Sequence, residues 1–201
     1  MNILITGGAG FIGSHILQRF NRENCQITVL DNLHSGNRTN IPEGVNFIEL
    51  DICDERIIDV FEKNKFEAVV HLAAQTMVNA SIDDPIYDSD NNIRGTINIL
   101  EACRKTGVRR IVFSSTAAVY GDVNAVPVLE DFTTDPLSFY GLSKLTVEKY
   151  LKLYQKLYGL EYVILRYANV YGERQGAGGE GGVISIFMKL SAQNKAFTIH
   201  G

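Results

Sequence analysis

Short apolar runs interleaved with longer amphipathic stretches constrain this chain more than any other feature. The runs are NILIT (2–6), ITVL (27–30), NFIEL (46–50), AVVHL (68–72), RIVFSS (110–115) and YVILRY (162–167). Helical periodicity occupies about 12–24, 54–64, 86–105 and 139–158. Neighbouring parallel strands need long crossover connections, and strands that are apolar throughout need cover on both faces. The pattern therefore predicts an α/β fold of Rossmann type, a doubly wound parallel sheet with helices on both faces. Residues 172–182, GERQGAGGEGG, read as a mobile loop, and VISIFMKLSAQ after them reads as a helix.

At 201 residues, 45% hydrophobic and 21% charged, the chain can bury a sizeable core. A net charge of −4 leaves no electrostatic footprint for nucleic acid. An anionic ligand must then be held by local devices such as helix N-termini. MNILITGGAG has neither a charged leader nor a long apolar run, so no signal peptide is expected. No run approaches the roughly 18 apolar residues of a membrane span, and a cytoplasmic protein is expected. Cys25, Cys53 and Cys103 have neither metal-ligand spacing nor a disulfide rhythm. They read as buried free thiols in a reducing compartment, and no metal site is expected.

ITGGAGFIGSH sets Gly7, Gly10 and Gly13 between the first strand and the first helix. Such a turn brings backbone close to a diphosphate and presents unpaired helix N–H groups to it, with Phe11 and Ile12 in the same turn. The spacing is G-x-x-G-x-x-G, so it follows the logic of the dinucleotide fingerprint and not its letters. Asp31 ends the second strand eighteen residues after Gly13, where an acid would take adenosine ribose hydroxyls and repel a 2′-phosphate. Asn32 follows it. Asp51 and Ile52 in ELDICD offer an adenine-edge contact, although Asp51 equally suits a helix cap. HLAAQ closes the fourth strand with small residues, Leu72, Ala73 and Ala74, where a cofactor can pass. His71 there reads as a packed core histidine and not as an acid or base.

SFYGLSK opens the longest amphipathic helix, with Tyr140 and Lys144 on one face. A phenol with an ordinary pKa of about 10 needs a nearby ammonium to act as a base at neutral pH. The bare Y-x-x-x-K pattern is weak. It gains weight from its place after a nucleotide-binding half and after a strand that ends Ser114, Ser115, Thr116. Thr116 falls at the carboxyl end of the fifth strand, where ligands bind in open α/β sheets. Ser114 reads either as a cofactor contact or as ordinary strand-end polarity.

TGGAGFIGSH, DNL, LDICD, HLAAQ, NNIRGTINILEAC, FSSTAAVYG, YGLSK and LRYANVYGERQ, in this order, span essentially the whole chain. The set resembles the extended short-chain dehydrogenase/reductase family, in its NAD-dependent nucleotide-sugar epimerase/dehydratase branch and most of all the UDP-glucose 4-epimerase group. That resemblance implies Thr116, Tyr140 and Lys144 as the catalytic group and NAD as cofactor, with Ser114, Tyr140, Lys144 and Tyr167 beside it. Asn92 matches an asparagine that supports the catalytic helix, also counted with the cofactor site. Asn169 matches one that contacts the substrate diphosphate. Ser81, Gly182 and Val183 are further sugar-nucleotide candidates.

Dehydratases of the branch carry an Asp-Glu pair directly after the catalytic threonine, and its decarboxylases keep a glutamate at the second position. Here both are alanine, Ala117 and Ala118, and can neither donate nor accept a proton. What remains is redox at one carbon. The resemblance thus implies C4 epimerisation of a UDP-sugar (UDP-glucose/UDP-galactose or their N-acetyl forms) through a transient 4-keto sugar, with NAD retained. The alternatives are a nucleotide-sugar dehydrogenase or reductase with exchangeable cofactor, and a non-catalytic NAD-binding regulatory module.

Relatives in the branch continue for roughly another hundred residues. Residues 1–168 are expected to form the NAD-binding domain and 169–201 part of a substrate lobe, an N-terminal fragment with little or no turnover alone. The helices at 86–105 and 139–158 resemble a pair that forms a homodimer interface in relatives. Their apolar faces equally suit packing on their own sheet.

Overall fold

The computed structural model describes residues 1–23, 25–123, 126–175 and 183–196. Six strands form one parallel sheet: β1 (Asn2–Thr6), β2 (Gln26–Asp31), β3 (Asn46–Glu49), β4 (Ala68–His71), β5 (Arg110–Thr116) and β6 (Glu161–Tyr167). Their order is β3-β2-β1-β4-β5-β6. The chain winds outward from β1 to β3, crosses back, and winds outward again from β4. Ile5 is therefore flanked by Val29 of β2 and Val70 of β4. The reversal opens a crevice beyond the carboxyl ends of β1 and β4, where such sheets bind ligands.

Side chains alternate across each strand, and both faces are apolar. Ile3 and Ile5 of β1 join Val29 and Val70 on one face, covered by α1 (Phe11–Asn21) through Leu17. Leu4 points the other way, into a larger cluster with Phe61 of α2 (Ile57–Asn64), Ile99 and Cys103 of α5 (Gly95–Thr106), and Leu151 of α6 (Phe139–Tyr158). Each such buried side chain contributes on the order of 1.5–3 kcal/mol. Helix ends are written locally. Ser138 caps α6 by accepting the Gly141 N–H at 3.1 Å, and Gly159 ends it in the left-handed region at φ +76°.

Three local expectations change. The helix expected over 86–105 is α4 (Pro85–Ser89), a π-helical turn Asp90–Arg94, and then α5. The wider turn carries Asn92, which is buried and hydrogen-bonded to Gln75, and such bulges gather at functional sites. The helix expected from 54 starts at Ile57, because the Asp54 carboxylate accepts the Arg56 N–H at 2.8 Å in a preceding turn. A short helix α3 (Val78–Asp83) stands where no helix is expected. The helix after the glycine-rich segment is α7 (Val183–Ala192), and most of that segment, 176–182, lies outside the described residues. Of the cysteines only Cys103 is buried; Cys25 and Cys53 are partly exposed, and all three are free. No helix of the described residues is long and apolar enough to cross a membrane.

Candidate active site

A cavity of about 1040 Å³ opens above the crevice. Its walls come from the strand ends: Gly7 and Gly10 to Gly13 after β1, Asp31 and Asn32 after β2, Leu72 to Ala74 after β4, Ser114 to Ala118 at β5, and Tyr167 to Asn169 after β6. Ile52 and Tyr140 also line it.

At one end the glycine turn is pressed against its neighbours. Gly7 sits at φ +69°, and a Cβ there would lie 2.6 Å from the Ala73 nitrogen. A Cβ on Gly13 would lie 2.2 Å from the Gly7 carbonyl oxygen. Only glycine lets the three segments meet. No side chain caps α1, so the partial positive charge of its N-terminus faces the cavity. Asp31 lies at the edge of this turn. Its Oδ2 accepts the Ala9 N–H and its Oδ1 the Leu33 N–H, both at 2.9 Å. Burial nevertheless outweighs these donors and raises its carboxyl pKa.

At the other end stand Thr116, Tyr140 and Lys144. Thr116 Oγ1 accepts the Ala118 N–H at 3.1 Å, which leaves the hydroxyl proton free to stabilise the Tyr140 phenolate. Lys144 is buried behind Tyr140. Its Nζ donates to the Ser114 carbonyl at 3.0 Å and lies 5.8 Å from the Tyr140 ring centre and 4.9 Å from that of Phe113. Burial pushes the Lys144 ammonium down to about 8 and raises the Tyr140 phenol above its ordinary value. The ammonium alone therefore does not make the phenol a base at neutral pH. Desolvation outweighs the Thr116 hydrogen bond, and the Asp88 charge adds to it.

Behind the cavity wall His71 is wholly specified. Thr96 donates to the Asn92 carbonyl at 2.7 Å, so it accepts from His71 Nε2 at 2.9 Å, and His71 Nδ1 accepts from Thr6 Oγ1 at 2.7 Å. The ring is neutral with its proton on Nε2, and burial pushes its pKa down to about 3, Lys144 adding to the effect. The core-histidine reading holds: both ring nitrogens are spent on threonines.

Several expected residues stand away from the cavity surface. Lys144 is buried with its Nζ on the Ser114 carbonyl and does not line the cavity. Asn92 is buried with its amide on Gln75 and Asp88. Asp51 accepts from the Cys53 N–H at 2.7 Å and from Asn32 at 2.8 Å, a turn-forming role, while its neighbour Ile52 lines the cavity. Ser81 is buried and donates to the Val78 carbonyl of its own helix at 2.6 Å. Gly182 lies outside the described residues, and of Val183 only its position at the start of α7 is described.

Other cavity residues had no expectation attached. His34 and Tyr87 line it with ring centres 6.3 Å apart, and Gln75 to Ala80 form one wall. Asp88 and Glu148 are buried carboxylates close behind it. Their signal lay in helix register: Glu148 continues the Tyr140–Lys144 face by four residues, and Asp88 precedes Asn92 by four.

A family model described as the NAD dependent epimerase/dehydratase family matches residues 3–201. The chain belongs to that family. A relative from Methanocaldococcus jannaschii is 50% identical over 200 residues, covering 99% of this chain and 66% of its own. The crystal structure of a UDP-glucose 4-epimerase from Thermotoga maritima with UDP-glucose superposes at a TM-score of 0.97. It is 42% identical and covers 100% of this chain and 66% of that one. The UDP-glucose 4-epimerase of Thermus thermophilus in complex with NAD gives 0.94 at 42% identity, over 98% of this chain and 64% of that one. The chain thus spans about two thirds of the length of these epimerase/dehydratase relatives. Ala117 and Ala118 line the cavity directly beside Thr116.

Proposed function

We propose that the chain supplies the NAD-binding and catalytic part of a UDP-sugar 4-epimerase. The observation that carries this reading is Tyr140 between Thr116 and buried Lys144, at the inner end of a cavity whose adjoining wall is Ala117 and Ala118.

The residues present fit NAD. Gly7 and Gly13 leave the approach that a diphosphate needs, and the uncapped α1 terminus suits its charge. Asp31, oriented by two backbone donors, suits ribose hydroxyls and disfavours a 2′-phosphate. Leu50 and Ile52 offer an apolar edge for adenine, and Tyr140 suits the nicotinamide ribose, with Lys144 buried behind it. When bound, NAD supplies a hydride acceptor of positive charge that can return the hydride.

This chain's own residues handle the proton. Tyr140 takes it from the C4 hydroxyl of the sugar and gives it back to the C4 oxygen of the transient 4-keto sugar. Thr116 shares that proton by donating to the phenolate oxygen, and the Lys144 ammonium stabilises the phenolate, to which bound NAD would add its positive charge. Ala117 and Ala118 provide no second acid, so no water is eliminated and the sugar is returned inverted at one carbon. Asn169, Ser81 and the segment around Gly182 and Val183 are assigned to the sugar nucleotide, and residues 169–201 to the start of the lobe that covers it. The protein is assigned to the cytoplasm, and exposed Ile86, Leu153 and Leu157 on α4 and α6 suit a homodimer. Little turnover is expected from these 201 residues alone.

The test is NMR of a panel of UDP-sugars incubated with the complete NAD-loaded enzyme. Interconversion of UDP-glucose and UDP-galactose, or of their N-acetyl forms, with cofactor retained, supports the reading. A stoichiometric gain of NADH absorbance would instead make it a dehydrogenase, and NAD binding with no turnover a regulatory module.

A further inference from the structure

Asp88 is a fully buried carboxylate with no cation in salt-bridge reach among the described residues. Glu148 has Arg166, and Asp31 has two backbone N–H groups, but Asp88 has only neutral side-chain donors. Its Oδ1 accepts from Gln75 Nε2 at 2.9 Å and Asn92 Nδ2 at 2.8 Å, and its Oδ2 from Ser143 Oγ at 2.6 Å.

The amide orientations are dictated by backbone. Gln75 Oε1 accepts the Met77 N–H while its Nε2 also donates to the Met77 carbonyl. Asn92 Oδ1 accepts the Gln75 N–H at 3.0 Å while its Nδ2 donates to the Gln75 carbonyl at 3.0 Å. Both amides must therefore present NH₂ groups to Oδ1, which leaves no room for a proton there. Oδ1 is thereby fixed as an acceptor, and the Ser143 hydroxyl, which can donate to Oδ2, completes a shell of neutral donors for the carboxylate.

Lys144, next in sequence to Ser143, is a buried ammonium whose acceptor among the described residues is the neutral Ser114 carbonyl. The Asp88–Ser143 bond sets the carboxylate of α4 against the turn of α6 that carries Lys144; Tyr140 lies beside the ammonium on its own helix, and the titratable groups whose charges couple to it are Asp88 and His71 of β4. His71 is neutral, Glu148 is committed to Arg166, and Asp90 is paired with Arg94 at the surface.

We propose that Asp88 is a positioning residue for catalysis: an anion insulated by Gln75, Asn92 and Ser143 that keeps the Lys144 ammonium charged beside Tyr140. This rests on the reading of Tyr140 and Lys144 given under Proposed function. Burial drives Lys144 toward the neutral form and the Asp88 charge opposes it. The same charge also disfavours the Tyr140 phenolate. Asp88 thus sets the pH window as a whole, shifting both limits of the proton relay upward.

Asp88→Asn tests this with little change of shape. Its carbonyl can still accept from Gln75 and Asn92, and the Ser143 hydroxyl can turn to accept from its NH₂. The measurement is the titration of Lys144 in NAD-loaded enzyme carrying lysine labelled with ¹³C at Cε, assigned through Lys144→Arg. We expect the Lys144 midpoint to fall by about one pH unit or more in Asp88→Asn. Both limbs of the kcat profile should move down in pH with it. Ser143→Ala, which keeps the charge, should move the midpoint by less than about a third as much. An unmoved midpoint in Asp88→Asn overturns the proposal. A Lys144 already neutral at pH 7 in the unaltered enzyme overturns it without any variant. Should the enzyme epimerise no UDP-sugar, the functional reading fails while the midpoint still decides the role of Asp88.

Discussion

Ser115 donates a 2.6 Å hydrogen bond to Oε1 of Glu148, tying the strand that carries Thr116 to the helix that carries Tyr140 and Lys144. Arg166 of β6 completes the joint, with Nε 3.0 Å from Oε1 and Nη2 2.7 Å from Oε2 of the same carboxylate. Its Nη1 reaches on to the Tyr120 hydroxyl at 2.8 Å. One buried carboxylate thus sets the spacing of β5, β6 and α6 beneath the cavity.

Removing that carboxylate leaves a partly buried guanidinium and a serine without their partner. Glu148→Ala should cost about 3 kcal/mol in urea unfolding. It should also lower kcat, because Thr116 and Tyr140 lose their common brace. A loss under about 1 kcal/mol would mean that the joint is decorative.

Tyr140→Phe removes the phenol and keeps the ring. Turnover should fall by at least ~100-fold while NAD binding, followed by fluorescence, is retained. Near-normal turnover would take Tyr140 out of the base role. Thr116→Val should give a smaller loss, confined to kcat.

His71 makes stability depend on pH. Its folded-state pKa is pushed down to about 3, whereas the unfolded side chain takes a proton near pH 6.5. The contribution is complete above about pH 6.5 and is lost as the pH falls toward 3, at up to about 1.4 kcal/mol per unit. Urea midpoints at pH 7, 5.5 and 4.5 should decline more steeply for the natural chain than for His71→Asn. Parallel slopes would show that the histidine ionises freely in the fold.

Gly13→Ala should be tolerated least of the turn substitutions, since its Cβ would meet the Gly7 carbonyl oxygen at 2.2 Å, a backbone atom that cannot step aside. We expect a loss of about 2 kcal/mol of stability and at least a tenfold loss of NAD affinity by calorimetry. The same change at Gly10, where the nearest atom is 3.3 Å away, should cost far less.

Local sequence determined the repeating elements and the ends of the strands. Apolar runs of strand length, glycines after β1 and a Ser138 cap before α6 act within a few residues of themselves. Sheet class, glycine turn and the Tyr140–Lys144 face are therefore legible without a fold. The likeness of the motif order to a known family carried the cofactor and the chemistry. Asp88, Gln75 and Ser143 lie up to 68 residues apart, and the partners Ser115, Glu148 and Arg166 up to 51. A buried carboxylate and a solvated one are the same letter. Only tertiary packing, by removing water and choosing the donors that replace it, decided that Asp88 is an insulated anion and Glu148 a brace. It also decided that Lys144 is a buried ammonium and His71 a neutral strut.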